Sequence, residues 1–182
     1  SLYMSEPYQF TVDAAVMSEY TNTSFALWFK VEKFEHASLG TLLMTKVNRN
    51  YGRTWTENVW GEMWTAIRPA GYAKNNNIGR DNAENELSLC TDAPAAGAPN
   101  YEHNNDVDIL SDGYSLTPGV WYHVCAVKAG RNISLYLNGK LIASGSSRGA
   151  GPKNWRGAKF YVGGSMTNLA SLTGWVDEVQ IW

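Results

Sequence analysis

Apolar and polar residues alternate with a period of two along most of the chain, and stretches with apolar residues at i, i+3, i+4 and i+7 are missing. The pattern predicts strands over Gln9 to Val16, Ser24 to Val31, Gly40 to Lys46, Val59 to Ile67, Glu86 to Thr91, Val107 to Leu110, Val120 to Lys128, Ile133 to Leu137, Lys159 to Val162 and Gly174 to Trp182. Turn signals separate them: Asp112-Gly113, Pro118-Gly119, Ala129-Gly130, Asn138-Gly139 and the Gly145 to Pro152 stretch. About ten short strands in 182 residues call for two packed sheets, an antiparallel β-sandwich or jelly roll filling a single domain over residues 1–182. The segment from Trp121 to Ala143 reads as a three-stranded meander, with Asn138-Gly139 suited to a type I′ turn. Ala73 to Asn85 and Ala93 to Asn105 are long polar loops.

One predicted strand is unusually rich in aromatic rings. Trp55, Trp60 and Trp64 fall within ten residues, and alternation places Trp60, Glu62, Trp64 and Arg68 on one face, opposite Met63, Thr65 and Ile67. Tryptophans interleaved with a carboxylate and an arginine resemble a sugar platform, because rings stack on the apolar C–H faces of pyranoses while charged and amide groups take the hydroxyls. The same spacing also suits Trp60 and Trp64 as core fillers. Tyr51, Arg53, Tyr72 and the loop residue Trp155 complete the candidate carbohydrate-binding set with Trp55, Trp60 and Trp64.

Composition narrows the function classes. Aromatic residues make up 13% of the chain and charged residues 18%, with a formal net charge of -2, so no broad cationic surface serves a phosphate backbone and nucleic acid is excluded as a partner. No window supplies the roughly 18 consecutive apolar residues of a membrane helix, so membrane insertion is not expected either. Cys90 and Cys125 admit one disulfide, a thiol pair or two reduced core cysteines. Asn22-Thr23-Ser24 and Asn132-Ile133-Ser134 are glycosylation sequons, meaningful only in a secreted eukaryotic protein.

Four motifs, Ser24-Phe25-Ala26-Leu27-Trp28-Phe29-Lys30, Gly119-Val120-Trp121-Tyr122-His123-Val124, Leu135-Tyr136-Leu137-Asn138-Gly139-Lys140-Leu141 and Gly174-Trp175-Val176-Asp177-Glu178-Val179-Gln180-Ile181-Trp182, fall in the order and spacing of a laminin G-like domain. The chain therefore resembles the concanavalin A-like lectin and glucanase superfamily, with pentraxin-like features. The resemblance covers about residues 24 to 46 and 107 to 182 and implies the jelly-roll sandwich. It implies less about function, because this fold hosts lectins, adhesion modules, glycosidases and lyases. Trp28, Trp121, Trp175 and Trp182 sit in these motifs and are expected in the core or between the sheets. Pentraxins carry a cysteine where Cys125 stands, but its usual partner falls near Leu27, leaving Cys90 as the alternative. The pentraxin calcium cluster would fall near Gly163 to Ala170, which contains no carboxylate.

In the last strand Trp175, Asp177, Val179 and Ile181 share a face by simple alternation, so Asp177 is expected among apolar neighbours. A buried carboxylate needs backbone N–H donors or a cation, and calcium is the cation that oxygen ligands favour. The alternating carboxylates of the superfamily's glucanases are missing. Glu84 and Glu86, or Asp106 and Asp108, repeat only their i, i+2 spacing and read as solvated loop edges. His36, His103 and His123 adjoin no nucleophile motif, and His123 reads as a structural residue with its tip hydrogen-bonded under a loop.

These readings favour a non-catalytic, extracellular carbohydrate-binding or adhesion module whose partner is a glycan or glycoprotein. The alternative is a self-associating structural subunit of a surface filament, appendage or capsid decoration. A polysaccharide-degrading enzyme comes third.

Overall fold

The computed structural model describes residues 1–5, 10–13, 22–34, 40–46, 62–68, 85–92, 107–111, 113–146, 159–164 and 172–182. Twelve strands run through them: β1 (Leu2–Met4), β2 (Phe10–Asp13), β3 (Asn22–Val31), β4 (Gly40–Lys46), β5 (Glu62–Arg68), β6 (Glu86–Asp92), β7 (Val107–Leu110), β8 (Trp121–Ala129), β9 (Asn132–Leu137), β10 (Lys140–Ser146), β11 (Lys159–Val162) and β12 (Gly174–Ile181). They form two six-stranded antiparallel sheets, β1-β12-β3-β8-β9-β10 and β2-β11-β4-β5-β6-β7. The expected all-β sandwich is the fold. Two strands stand beyond the ten ranges given above: β10, the third strand of the expected meander, and β1, whose three residues are too few to show an alternation.

The core lies between the sheets and comes mainly from one parity along each strand. The first sheet contributes Phe25, Leu27, Phe29 and Val31 from β3, Val124 and Ala126 from β8, Ile133 and Leu135 from β9 and Val176 from β12. Facing them are Leu42, Ile67, Leu87, Leu89, Ile109, Phe160 and Val162. Each large side chain removed from water stabilises the fold by about 1.5–3 kcal/mol. Buried hydroxyls are satisfied across the strands: Thr65 Oγ1 donates to the Ser88 carbonyl at 2.8 Å, and the Leu87 amide donates to Ser111 Oγ at 2.9 Å.

The β9–β10 turn matches its sequence signal, with Asn138 at φ 50° and Gly139 at φ 79°, the left-handed values of a type I′ turn. Asn138 also ties this turn to the middle of the sheet. Its Oδ1 accepts from the His123 amide at 2.8 Å, and its own amide donates to the His123 carbonyl at 2.7 Å.

Candidate functional site

On β3 the core parity is Phe25, Leu27, Phe29 and Val31, so Ala26, Trp28 and Lys30 belong to the outer face of the first sheet. The same holds for Trp121, His123 and Cys125 on β8, which alternate with buried Val124 and Ala126. Register turns these positions into rows. Tyr3, Trp175, Lys30 and Trp121 lie side by side across four strands. Asp177, Trp28 and His123 form the adjoining row.

The first row is a ladder of rings around one ammonium. Lys30 Nζ lies 4.1 Å from the Trp175 ring centroid and 5.2 Å from that of Trp121, within cation–π range of both. Tyr3 meets Trp175 edge-on at 4.9 Å and donates its hydroxyl to Glu32 Oε2 at 2.6 Å. That bond holds the phenol above its ordinary pKa, because it favours the protonated form. In the second row Trp28 is 37% exposed, with the His123 ring tilted against it at 5.2 Å.

A bulge in β12 completes the arrangement. The pairing of β12 with β3 slips between Asp177 and Gln180, so that Asp177 opposes Trp28 and Gln180 opposes Ala26, two strand positions away. Glu178, within the slip, sits at φ 48°, a left-handed conformation that non-glycine residues rarely adopt. The slip reverses the parity of the strand. Trp175 and Asp177 stay outside, whereas Val179 and Ile181 pack against the core. Asp177 and Glu178 thereby line the same pocket as Trp28 and Trp121, an open hollow of about 260 Å³.

The bulge corrects the expectation for Asp177. Simple alternation put it among apolar neighbours, but it is 47% exposed, accepts from the Glu178 amide at 2.9 Å and lies 3.3 Å from the Ser1 nitrogen. Among the described residues no group of three or more His, Cys, Asp or Glu gathers to hold a metal ion.

The four motif tryptophans are corrected as well. None belongs to the core: Trp28 and Trp182 are exposed, Trp182 by 61%, and Trp121 and Trp175 are half-buried on the outer face. The usable signal was the polar company of each ring, since Lys30 shares parity with Trp28, His123 with Trp121 and Asp177 with Trp175. His123 packs its ring on Trp28, so it belongs to this face as well.

Trp64 lies on β5 in register between Met44 and Cys90. Thr65 is buried and Ile67 belongs to the core, so position 64 falls on the opposite face of the second sheet. Trp55, Trp60, Tyr51, Arg53, Tyr72 and Trp155 lie outside the described residues, as do His36 and His103. Cys125 is a free thiol, half-buried on the outer face of the first sheet, while Cys90 belongs to β6 of the other sheet. Burial pushes the Cys125 thiol above its ordinary pKa.

These features define a two-sheet antiparallel sandwich with an aromatic, partly acidic outer face. Residues 61–182 match the family model of the concanavalin A-like lectin/glucanases superfamily, and the chain belongs to that family. No curated protein sequence matches it. Among solved structures, it is similar to a native heptameric SAP-like pentraxin from Limulus polyphemus, with a TM-score of 0.57, 13% identity, and coverage of 98% of this chain and 71% of that one. A putative carbohydrate binding protein from Bacteroides ovatus ATCC 8483 aligns with a TM-score of 0.60 and 19% identity over 99% of this chain and 42% of that one. The Ruminococcus gnavus IT-sialidase CBM40 bound to alpha2,3 sialyllactose aligns with a TM-score of 0.53 and 13% identity over 100% of this chain and 90% of that one. At these identities the likeness is one of fold.

Proposed function

We propose that this chain is a non-catalytic, extracellular carbohydrate-binding or adhesion module, and that a glycan or glycoprotein docks on the outer face of its first sheet. The observation that carries the reading is the pocket of about 260 Å³ lined by Trp28 and Trp121 together with the acidic residues Asp177 and Glu178. Two indoles offer stacking surfaces for a pyranose, and the carboxylates accept hydrogen bonds from its hydroxyls. The volume is just below the roughly 300–1,000 Å³ of pockets for drug-sized ligands, a scale suited to one sugar ring. Family membership and the carbohydrate-binding neighbours named above support the same class.

Trp55, Trp60, Trp64, Tyr51, Arg53, Tyr72 and Trp155 form a second candidate platform within this proposal. The two platforms separate experimentally. Retention on immobilised polysaccharides and glycan arrays is expected to be lost in Trp28→Ala and kept in Trp64→Ala, with both variants folded by circular dichroism. Loss in Trp64→Ala alone transfers the site to the second sheet, and no retention of the parent protein on any glycan overturns the reading. Turnover of a retained polysaccharide overturns its non-catalytic part.

Self-association is a second reading, favoured by the exposure of Leu2, Tyr3 and Trp182 at 57%, 49% and 61%. Light scattering across a concentration series tests it: oligomers support a structural subunit, and a monomer throughout removes it.

A further inference from the structure

The pocket wall is more specific than a generic sugar platform. In a regular strand consecutive side chains point to opposite faces, so Asp177 and Glu178 would be divided between solvent and core. The bulge prevents this, and both residues line one hollow, with Glu178 held at φ 48°. Left-handed backbone at a non-glycine residue carries a strain of roughly 1–2 kcal/mol, and here that strain lies in the pocket wall.

The described lining consists of Trp28, Trp121, Asp177 and Glu178, two indoles and two carboxylates with no basic side chain among them. The neighbouring row shows what such rings do with an ammonium, since Lys30 is held between Trp175 and Trp121 at 4.1 and 5.2 Å. Among the described residues, the charged and titratable groups near the pocket include Lys30 on β3, His123 on β8 and the Ser1 nitrogen beside Asp177. Of these, Lys30 is engaged by the rings of its own row, His123 packs on Trp28 two strands from β12, and the Ser1 nitrogen pairs with Asp177 Oδ2 at 3.3 Å, so a ligand ammonium shares Asp177 with it and meets Glu178 beside it.

We propose that this pocket takes an amino sugar, a glycan residue whose free ammonium lies against Glu178 and Asp177 while its ring stacks on Trp28 or Trp121. This rests on the reading that the outer face binds glycans, and it names the class of sugar. An ammonium gains charge-assisted hydrogen bonds from the carboxylates and cation–π attraction from the indoles. A neutral sugar gains stacking and ordinary hydrogen bonds only. A carboxylated or sulfated sugar meets two like charges.

Calorimetric titration with β-1,4-linked glucosamine oligomers, their N-acetylated counterparts and sialyllactose tests the assignment. The glucosamine oligomer is expected to bind at least about tenfold more tightly than the acetylated one, with sialyllactose weakest. Glu178→Gln is expected to bring the glucosamine oligomer and its acetylated counterpart to within about twofold of each other by removing a charged acceptor, and Asp177→Asn to act in the same direction while melting like the parent. Equal or tighter binding of the acetylated oligomer, abolished by Trp28→Ala, overturns the amino-sugar inference and leaves glycan binding standing. Glucosamine selectivity that survives both carboxylate variants also overturns it, since the attraction then belongs to net charge. Tighter binding of choline or a lysine peptide overturns the sugar assignment. Failure of every oligosaccharide overturns the glycan reading beneath it.

Discussion

Trp28 and Phe29 are consecutive aromatic residues on β3, and their surroundings differ completely. Phe29 is fully buried, stacks on Tyr122 at 5.6 Å and belongs to the core between the sheets. Trp28 is 37% exposed and touches His123 and a pocket. One strand thus presents a packing face and a solvent-facing outer face, and a one-residue step in sequence exchanges the two. Large aromatic residues therefore report stability on one parity and, under the proposed function, recognition on the other.

Phe29→Ala is expected to show the largest effect, destabilising by about 3–5 kcal/mol through lost burial and the cavity left behind. Chemical denaturation checks it, and a loss below about 1 kcal/mol would break the division between the faces. Gly174→Ala follows. A Cβ there would lie 2.0 Å from the Lys30 carbonyl oxygen, so the β12–β3 pairing must open, at a cost of about 3 kcal/mol or the loss of soluble protein. Because β12 carries the pocket wall, this substitution should remove binding and stability together.

Lys128 sharpens the comparison from the core side. It is buried opposite Thr23 and Ile133, and its Nζ donates to the Gly130 carbonyl. Desolvation lowers its pKa from 10.5 to about 8. Between those values the unfolded chain binds more protons at this site than the folded one, so stability rises as pH increases from about 8 towards 10.5. Below that window the penalty of a buried ammonium is fully present. Melting temperatures measured across it should rise relative to Lys128→Met, and parallel curves would refute the assignment.

Glu178→Gly is expected to stabilise by about 1 kcal/mol, because glycine adopts φ 48° without strain, while it removes a pocket carboxylate. Stability and binding should move in opposite directions here, whereas they fall together at Gly174. The smallest stability change belongs to Trp28→Ala, within about 1 kcal/mol for an exposed side chain, although its effect on binding should be complete.

The two faces differed in how legible they were. Large apolar residues at Phe25, Leu27, Phe29 and Val31 and at Leu87 and Leu89 made the sandwich readable, and Asn138-Gly139 fixed its best hairpin. The outer face was obscured because Trp28, Trp121 and Trp175 are as apolar as the core residues beside them. Attention to Lys30, His123 and Asp177 in their parity would have placed them outside. The bulge had no comparable signal, since Glu178 occupies a left-handed position that sequence reasoning reserves for glycine. Missing it carried Asp177, Val179 and Ile181 onto one face together, which produced the expectation of a buried carboxylate.

The central claim is that ligand meets the outer face of the first sheet at Trp28 and Trp121. Indole N–H resonances of the eight tryptophans, assigned by single substitution, are followed in NMR spectra during titration with the glucosamine oligomer. The account predicts that the Trp28 and Trp121 signals shift in a saturable way that Trp28→Ala abolishes. Shifts confined to Trp55, Trp60, Trp64 or Trp155, with Trp28 and Trp121 unmoved, would contradict it.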